Sequence, residues 1–236
     1  MTPRRQPAWA AGHSIVRADE ADIEVLSQII ADAFFPLAPC EWLIPDEAAR
    51  RAILPGYFRM YVEHAMAYGI VHTTSARDAA ALWIPLDPQL AGPPDGYHER
   101  LAQVTGPWLE RFIVFDAELD AHHLTGVEHH HLAILAVRPD RQGQGIGTAQ
   151  LDTHHAYLDH RDTAAYLEAS DESTRRLYLR YGYADHGTPI GLHDGLLAPG
   201  GHSAASQPRC DVTCMYPMVR HSGPGTRSQS ARRNAR

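Results

Sequence analysis

The stretch from His131 to Thr148 constrains the fold more than any other. His131-Leu-Ala-Ile-Leu-Ala-Val137 is a short apolar run. It leads into Arg138-Pro-Asp-Arg-Gln142-Gly143-Gln144-Gly145-Ile146-Gly147-Thr148, with glycines at three alternate positions, and a helical pattern comes next. A short apolar run bounded by turn residues reads as a buried strand. Glycine lets the backbone approach an anion closely, and the first turn of a helix adds unpaired N–H donors at the positive end of its dipole. The segment therefore predicts strand, anion-holding loop and helix, and a pyrophosphate fits it. Taken alone, such a loop is equally an ordinary tight turn. The dinucleotide-binding fingerprint asks for G-x-G-x-x-G, and here the third glycine fails, since Gly147 follows Gly145 after one residue.

The rest of the chain supplies a sheet for this unit. Ile15–Arg17 reads as a first strand, and Asp19 to Phe35 carries Ile23, Leu26, Ile29, Ile30 and Ala33 at helical spacing. Pro36, Pro39 and Pro45 break the next stretch, and Asp46 caps a helix running to about Tyr68. Two strands are expected at 70–74 and 79–86, a loop at 88–96, and a helix over 97–122 bent at Gly106 and Pro107. Beyond the glycine loop the order is helix to about 160, strand 164–169, helix 172–181, strand 183–186, a long loop and a last strand near 211–219. This alternation indicates an α/β fold on a mixed sheet. Residues 1–13 read as a disordered tail, 14–219 as one domain, and 220–236 as a basic disordered tail.

Composition excludes several chemistries. The chain has no lysine, so neither a Schiff base nor a P-loop lysine is available. No apolar run approaches the ~20 residues of a membrane span, and no signal-peptide core follows Arg4 and Arg5. A cytoplasmic protein is expected. Cys40, Cys210 and Cys214 lack metal-site spacing and should be reduced thiols. The net charge of −7 includes five arginines after Pro217, so the body is more acidic still. Such a body suits a cationic small molecule better than nucleic acid, and equally serves solubility. Sixteen histidines invite a metal, but neighbouring histidines point apart and no His-x-x-x-His pair with a carboxylate stands out, so no metal is expected.

Val137 to Gly147 resembles the acyl-CoA signature of the GNAT superfamily of N-acetyltransferases, Gln/Arg-x-x-Gly-x-Gly/Ala, through Gln142, Gly145 and Gly147. A second block, Tyr166-Leu-Glu168-Ala-Ser170 with Leu177-Tyr178 and Gly182-Tyr183, is similar to the family's next strand and tyrosine-bearing helix. The resemblance implies a GNAT-like fold: a mostly antiparallel central sheet with a splayed parallel pair, flanked by helices. It implies acetyl-CoA, or another short acyl-CoA, as co-substrate. Leu135, Ala136 and Val137 would meet pantetheine, the amides of Gln142, Gly143, Gln144, Gly145, Ile146, Gly147 and Thr148 the pyrophosphate, and Ser170 and Arg175 further CoA groups. Where many members place an asparagine early in the tyrosine helix, this chain has Asp171, Glu172 and Ser173. The layout is also similar to puromycin N-acetyltransferase and its relatives, which points to small-molecule amines and to antibiotic resistance or biosynthesis.

Acyl transfer to an amine needs a neutral nucleophile, a donor to the carbonyl oxygen and a proton for the thiolate. By the resemblance, Tyr178 is the acid. Glu168 either accepts the amine proton or orients its neighbours. An amide near Val137 would hold the oxyanion. With no thiol expected near this site, direct transfer in a ternary complex is favoured. The acceptor is expected between the loop from Phe34 to Trp42, the helix from Tyr97 and the loop 191–209. Glu41, Trp42, Trp83 and His131 would recognise the amine, although both tryptophans equally suit a core. A protein N-terminus as acceptor, a CoA-binding sensor without turnover and a tail-mediated interaction protein are the alternatives. Monomer and homodimer are both open.

Overall fold

The computed structural model describes residues 13–86, 96–198 and 213–222. Most of both expected tails, nearly all of the loop expected at 88–96, Cys210 and residues 199–212 lie outside the described residues. Among the described residues, eight strands form the sheet: β1 (Ile15–Arg17), β2 (Ile70–Thr74), β3 (Ala79–Leu86), β4 (His129–Val137), β5 (Ala164–Ala169), β6 (Ala184–Asp185), β7 (Ile190–Leu192) and β8 (Thr213–Arg220). The α-helices described beside them are α1 (Ile23–Phe34), α2 (Ala38–Leu43), α3 (Glu47–Tyr68), α4 (Tyr97–Thr105), α5 (Leu109–His122), α6 (Ile146–Arg161) and α7 (Glu172–Arg180). The sheet runs β1-β2-β3-β4-β5-β8-β6, with β7 also on β8. β4 and β5 are parallel, and the other pairs are antiparallel.

The period-2 alternation of strand side chains sorts the core onto two faces. From β3, Ala80, Leu82 and Ile84 pack with Leu26 and Ile30 of α1, Leu54 and Phe58 of α3 and Phe112 of α5. Ala81 and Trp83 point the other way, onto Leu151 and Leu158 of α6 and Tyr178 of α7. Local chemistry sets the ends of the helices. Asp46 accepts from Ala49 N at 2.7 Å to cap α3, and Asp171 accepts from Thr174 N at 2.7 Å to cap α7. The expected bend at Gly106 is present, where a 3-10 turn over Gly106–Trp108 separates α4 from α5.

Two elements depart from expectation. The proline-rich stretch after Phe35 contains α2, because Pro39 sits in its first turn, where a missing N–H costs no helical bond. β7 was expected to be loop. At three residues with Gly191 in its centre it has no sequence period to reveal it, and its pairing with Thr213 to Met215 defines it.

Candidate active site

The register of β4 opens the sheet at its centre. Leu82 pairs with Ile134 but Trp83 pairs with Leu132, so Ala133 is an extra residue on β4. Such a bulge bends a strand and ends regular pairing. Parallel pairing with β5 stops at His131 and Tyr166, after which the β5-facing edge of β4 has no ladder partner. A cleft of about 2040 Å³ passes through this opening and is lined from Leu132 to Val137 on one side and by Leu167, Glu168 and Ser170 on the other.

At one end stands the glycine loop. Gly143 (φ 74°) and Gly145 (φ 82°) occupy the left-handed region that other L-residues adopt at a cost. Gly145 is the N-cap of α6 and no side chain caps that helix, leaving its first-turn amides open to the cleft. Gln142 Nε2 donates to Val137 O at 3.1 Å, and Arg141 pairs with Asp78 at 3.2 Å, which together tie the loop to β3 and β4. Arg141 and Arg180 also line this end.

The middle of the cleft holds the titratable groups. His131 Nε2 lies 2.9 Å from Glu168 Oε2, and His123 Nδ1 lies 3.6 Å from Glu168 Oε1. The Glu168 side chain is only 7% exposed. Burial alone would raise its carboxyl, but the charge and hydrogen bonding of His131 and His123 outweigh this and hold it below the usual carboxylate range. Tyr178 lines the same space, and burial, with the charge of Asp171, pushes its phenol up.

The far end is acidic and aromatic. Tyr57 and Tyr61 exchange a hydrogen bond at 3.1 Å, and Tyr97 donates to Asp116 Oδ2 at 2.8 Å. All four side chains face the cleft. Burial pushes the Asp116 carboxyl up to about 6, against the Tyr97 hydrogen bond that lowers it. Cys40, on α2, also reaches this wall rather than lying in a remote loop, and burial pushes its thiol up to about 12. A thiol so protonated is a poor nucleophile.

Of the residues expected in the site, Leu135, Ala136, Val137, every residue from Gln142 to Thr148, Ser170, Tyr178, Glu168 and His131 line one cleft. Four others do not. Trp83 is fully buried and stacked on His154 beneath α6, with centroids 4.0 Å apart, because its position on β3 turns it to the opposite face. Trp42 packs against the Arg111 guanidinium, and Glu41 pairs with Arg50 at 3.9 Å. Arg175 is committed to Asp185 and Glu172. Asp171, at the position where an asparagine was looked for, caps α7. Sequence reading missed His123, Asp116, Tyr57, Tyr61 and Arg180. His122-His123 was visible as a pair but lies outside both matching blocks, and nothing in the pattern of α5 distinguishes Asp116 from a solvated acid.

Residues 110–185 match the acetyltransferase (GNAT) domain family. Over those residues the chain is similar to GNAT acetyltransferase domains. That match runs from α5 through the glycine loop to β6 and covers the parallel pair and both of its helices. Solved structures extend the GNAT fold over almost the whole chain. One is the histone acetyltransferase HPA2 and related acetyltransferase of Corynebacterium glutamicum (21% identity, covering 91% of this chain and 98% of that one, TM-score 0.58). Another is arylalkylamine N-acetyltransferase 2 of Aedes aegypti (10%, 90% and 100%, TM-score 0.61). A third is the Drosophila melanogaster polyamine N-acetyltransferase that forms N-acetylagmatine (17%, 89% and 100%, TM-score 0.53). At such identities the likeness shows the fold alone. No curated protein matches the sequence. No helix among the described residues is long and apolar enough to cross a membrane.

Proposed function

We propose that the protein transfers an acetyl or other short acyl group from acyl-CoA to a primary amine of a cationic small molecule, directly, in a ternary complex. The observation that carries this reading is that one cleft joins an uncapped, glycine-flanked helix N-terminus to a buried Glu168–His131 pair and Tyr178. The chain's residues fit acyl-CoA. Two left-handed glycines and the bare first turn of α6 offer amides to a pyrophosphate. The open edge of β4 beyond His131 offers unpaired backbone groups to an extended pantetheine arm. Arg180 stands at that end for further phosphate charge, the place expected of Arg175.

The chemistry divides among the residues in between. Glu168 accepts from His131 Nε2–H, which fixes the tautomer and leaves Nδ1 of His131 as the proton acceptor. This favours the orienting role for Glu168 over a direct one. The amine nitrogen bonds to the acyl carbon and gives its proton to His131. The carbonyl oxygen takes a hydrogen bond from a β4 amide on the open edge, and the C–S bond breaks as the Tyr178 hydroxyl protonates the thiolate. Burial and the charge of Asp171 keep the Tyr178 phenol protonated throughout the physiological range, so its O–H is present to donate to the thiolate. The protonated Cys40 supports direct transfer over a cysteine relay.

Asp116 with Tyr57, Tyr61 and Tyr97 supports an acceptor whose cationic part sits apart from the reacting nitrogen. An acceptor of that kind favours a small molecule over a protein N-terminus. Acetyl-CoA with a panel of diamines, guanidino-amines and aryl-alkylamines, with thiol release as the readout, tests the function. Acyl-CoA binding without thiol release from any amine leaves a sensor instead.

A further inference from the structure

His123, His131 and Glu168 come from three different elements, the end of α5, β4 and β5, yet one ligand atom from each lies within 4.8 Å of the others. Their hydrogen bonds leave a gap between them. His129 Nδ1 lies 2.8 Å from the Val127 carbonyl, which only accepts, so Nδ1 carries the proton of that ring. The Nε2 of His129 is then the acceptor in its 3.1 Å contact with His123 Nε2, and the lone pair of His123 falls on Nδ1. That lone pair faces Glu168 Oε1 at 3.6 Å, and Oε1 is buried without a hydrogen-bond partner. Two acceptors facing each other across this gap call for a cation, which is either a proton on His123 Nδ1 or a metal ion that displaces it.

We propose that His123, His131 and Glu168 bind a divalent transition-metal ion of the zinc class, and that the ion excludes the amine from the cleft. Imidazole nitrogens and a carboxylate are the donors zinc prefers, at about 2.0–2.2 Å in a tetrahedron. The carboxylate of Glu168 stands between the two rings, with Oε2 at 2.9 Å from His131 Nε2 and Oε1 at 3.6 Å from His123 Nδ1, and one ligand atom from each residue lies within 4.8 Å of the others. To bind the ion, His131 Nε2 gives up the proton it donates to Glu168. Three protein ligands leave the fourth position open to the cleft. The relay from His123 through His129 to the Val127 carbonyl is the outer-shell support that metal-bound histidines usually have. Spacing in the sequence hides the site because no two ligands share a helix face. Binding of the ion stands on this geometry alone; exclusion of the amine rests on the acetyltransferase reading.

Titration calorimetry of the full chain with zinc, beside His123→Ala and Glu168→Gln, tests binding directly. The unsubstituted protein should take up one equivalent more than either variant, with at least about tenfold weaker residual binding in both. Co²⁺ should give a tetrahedral visible spectrum that both variants lose, and circular dichroism confirms that each is folded. Equal stoichiometry and affinity in all three proteins overturns the site. Exclusion is read from acetylated amine rather than thiol, since released CoA itself binds zinc. Inhibition should be competitive against amine and not against acetyl-CoA, and any other pattern overturns it. If zinc binds as stated while no amine is acetylated, the metal site stands and the acetyltransferase reading falls.

Discussion

His131 Nε2 lies 2.9 Å from Glu168 Oε2 across the mouth of the splayed parallel pair. The two residues are 37 apart in sequence and meet only because parallel pairing stops at Tyr166, leaving Glu168 two positions further along β5 on the same face. Groups that act as a unit show non-additive losses. His131→Ala and Glu168→Gln should each lower kcat by roughly 10²–10⁴-fold, and the double variant should be no slower than the worse single. Acetyl-CoA affinity should stay unchanged in all three. Additive losses in steady-state kinetics would separate the pair.

The loop glycines differ in what they require. Gly145 holds φ at 82°, whereas a Cβ on Gly147 would meet Val137 and Leu135 at an ordinary 3.6 and 3.8 Å. Gly145→Ala should therefore cost about 1–2 kcal/mol of stability and weaken CoA binding, while Gly147→Ala should leave the thermal midpoint nearly unmoved. Melting curves and a CoA titration on the two variants check this.

Tyr178→Phe keeps the ring against Tyr183 and removes only the hydroxyl. The expected result is a fall in kcat of about 10²-fold or more, with little change in melting temperature or in CoA affinity. A drop in stability with kcat intact would make Tyr178 a packing residue.

Under the proposed function, Asp116 should link pH to substrate binding. Its carboxyl is pushed up to about 6, so it is charged above that pH and neutral below it. KM for a cationic amine should rise as pH falls from 7 to 5, because the attraction disappears through that range. Asp116→Asn should raise KM at pH 7 by about tenfold or more and flatten the profile, with acetyl-CoA KM unaffected. A profile that keeps its slope in the variant assigns the titration elsewhere.

Most of the fold was legible in the sequence because local signals agreed with tertiary ones. Asp46 and Asp171 cap where a cap was needed, β5 spans the residues its apolar run implied, and Gly143 and Gly145 take positive φ. The glycine-loop end of the cleft was legible for the same reason, being one continuous strand, loop and helix. The far end was not. Trp83 looked like an amine-binding aromatic but faces α6 together with Ala81, because alternation along β3 gives two faces without recording which of them the cleft lies on. Asp116, Tyr57 and Tyr61 lie on helices whose pattern records only that one side is buried. Their convergence is set by packing of α3 against α4 and of α4 against α5.

A row of buried imidazoles under α6 gives the last expectation. His154 contacts His72 Nε2 at 3.2 Å through Nδ1 and His130 Nδ1 at 3.1 Å through Nε2, and its ring stacks on Trp83. His155, next along the helix, bonds to the Tyr183 hydroxyl at 3.0 Å. Burial lowers both, His155 to about 4 and His154 further, with Arg220 and the neighbouring histidines adding to it and Asp159 opposing at His155. Arg17 acts in the same direction on His72, and Arg161 on His130. A histidine whose folded-state value lies below its unfolded one, near 6.5, contributes full stability above 6.5 and loses it as pH falls toward the folded value. Each unit below 6.5 costs about 1.4 kcal/mol per such group. His154 and His155 together should therefore remove roughly 4–5 kcal/mol between pH 6.5 and 4.5, a large share of the ~5–15 kcal/mol of a typical domain. Urea denaturation at pH 7.5, 6 and 5 should show this fall, and His154→Gln should reduce its slope. Because α6 begins at Gly145, loosening the helix also loosens the glycine loop. CoA affinity should then weaken over the same pH window in the unsubstituted protein, and less so in His154→Gln.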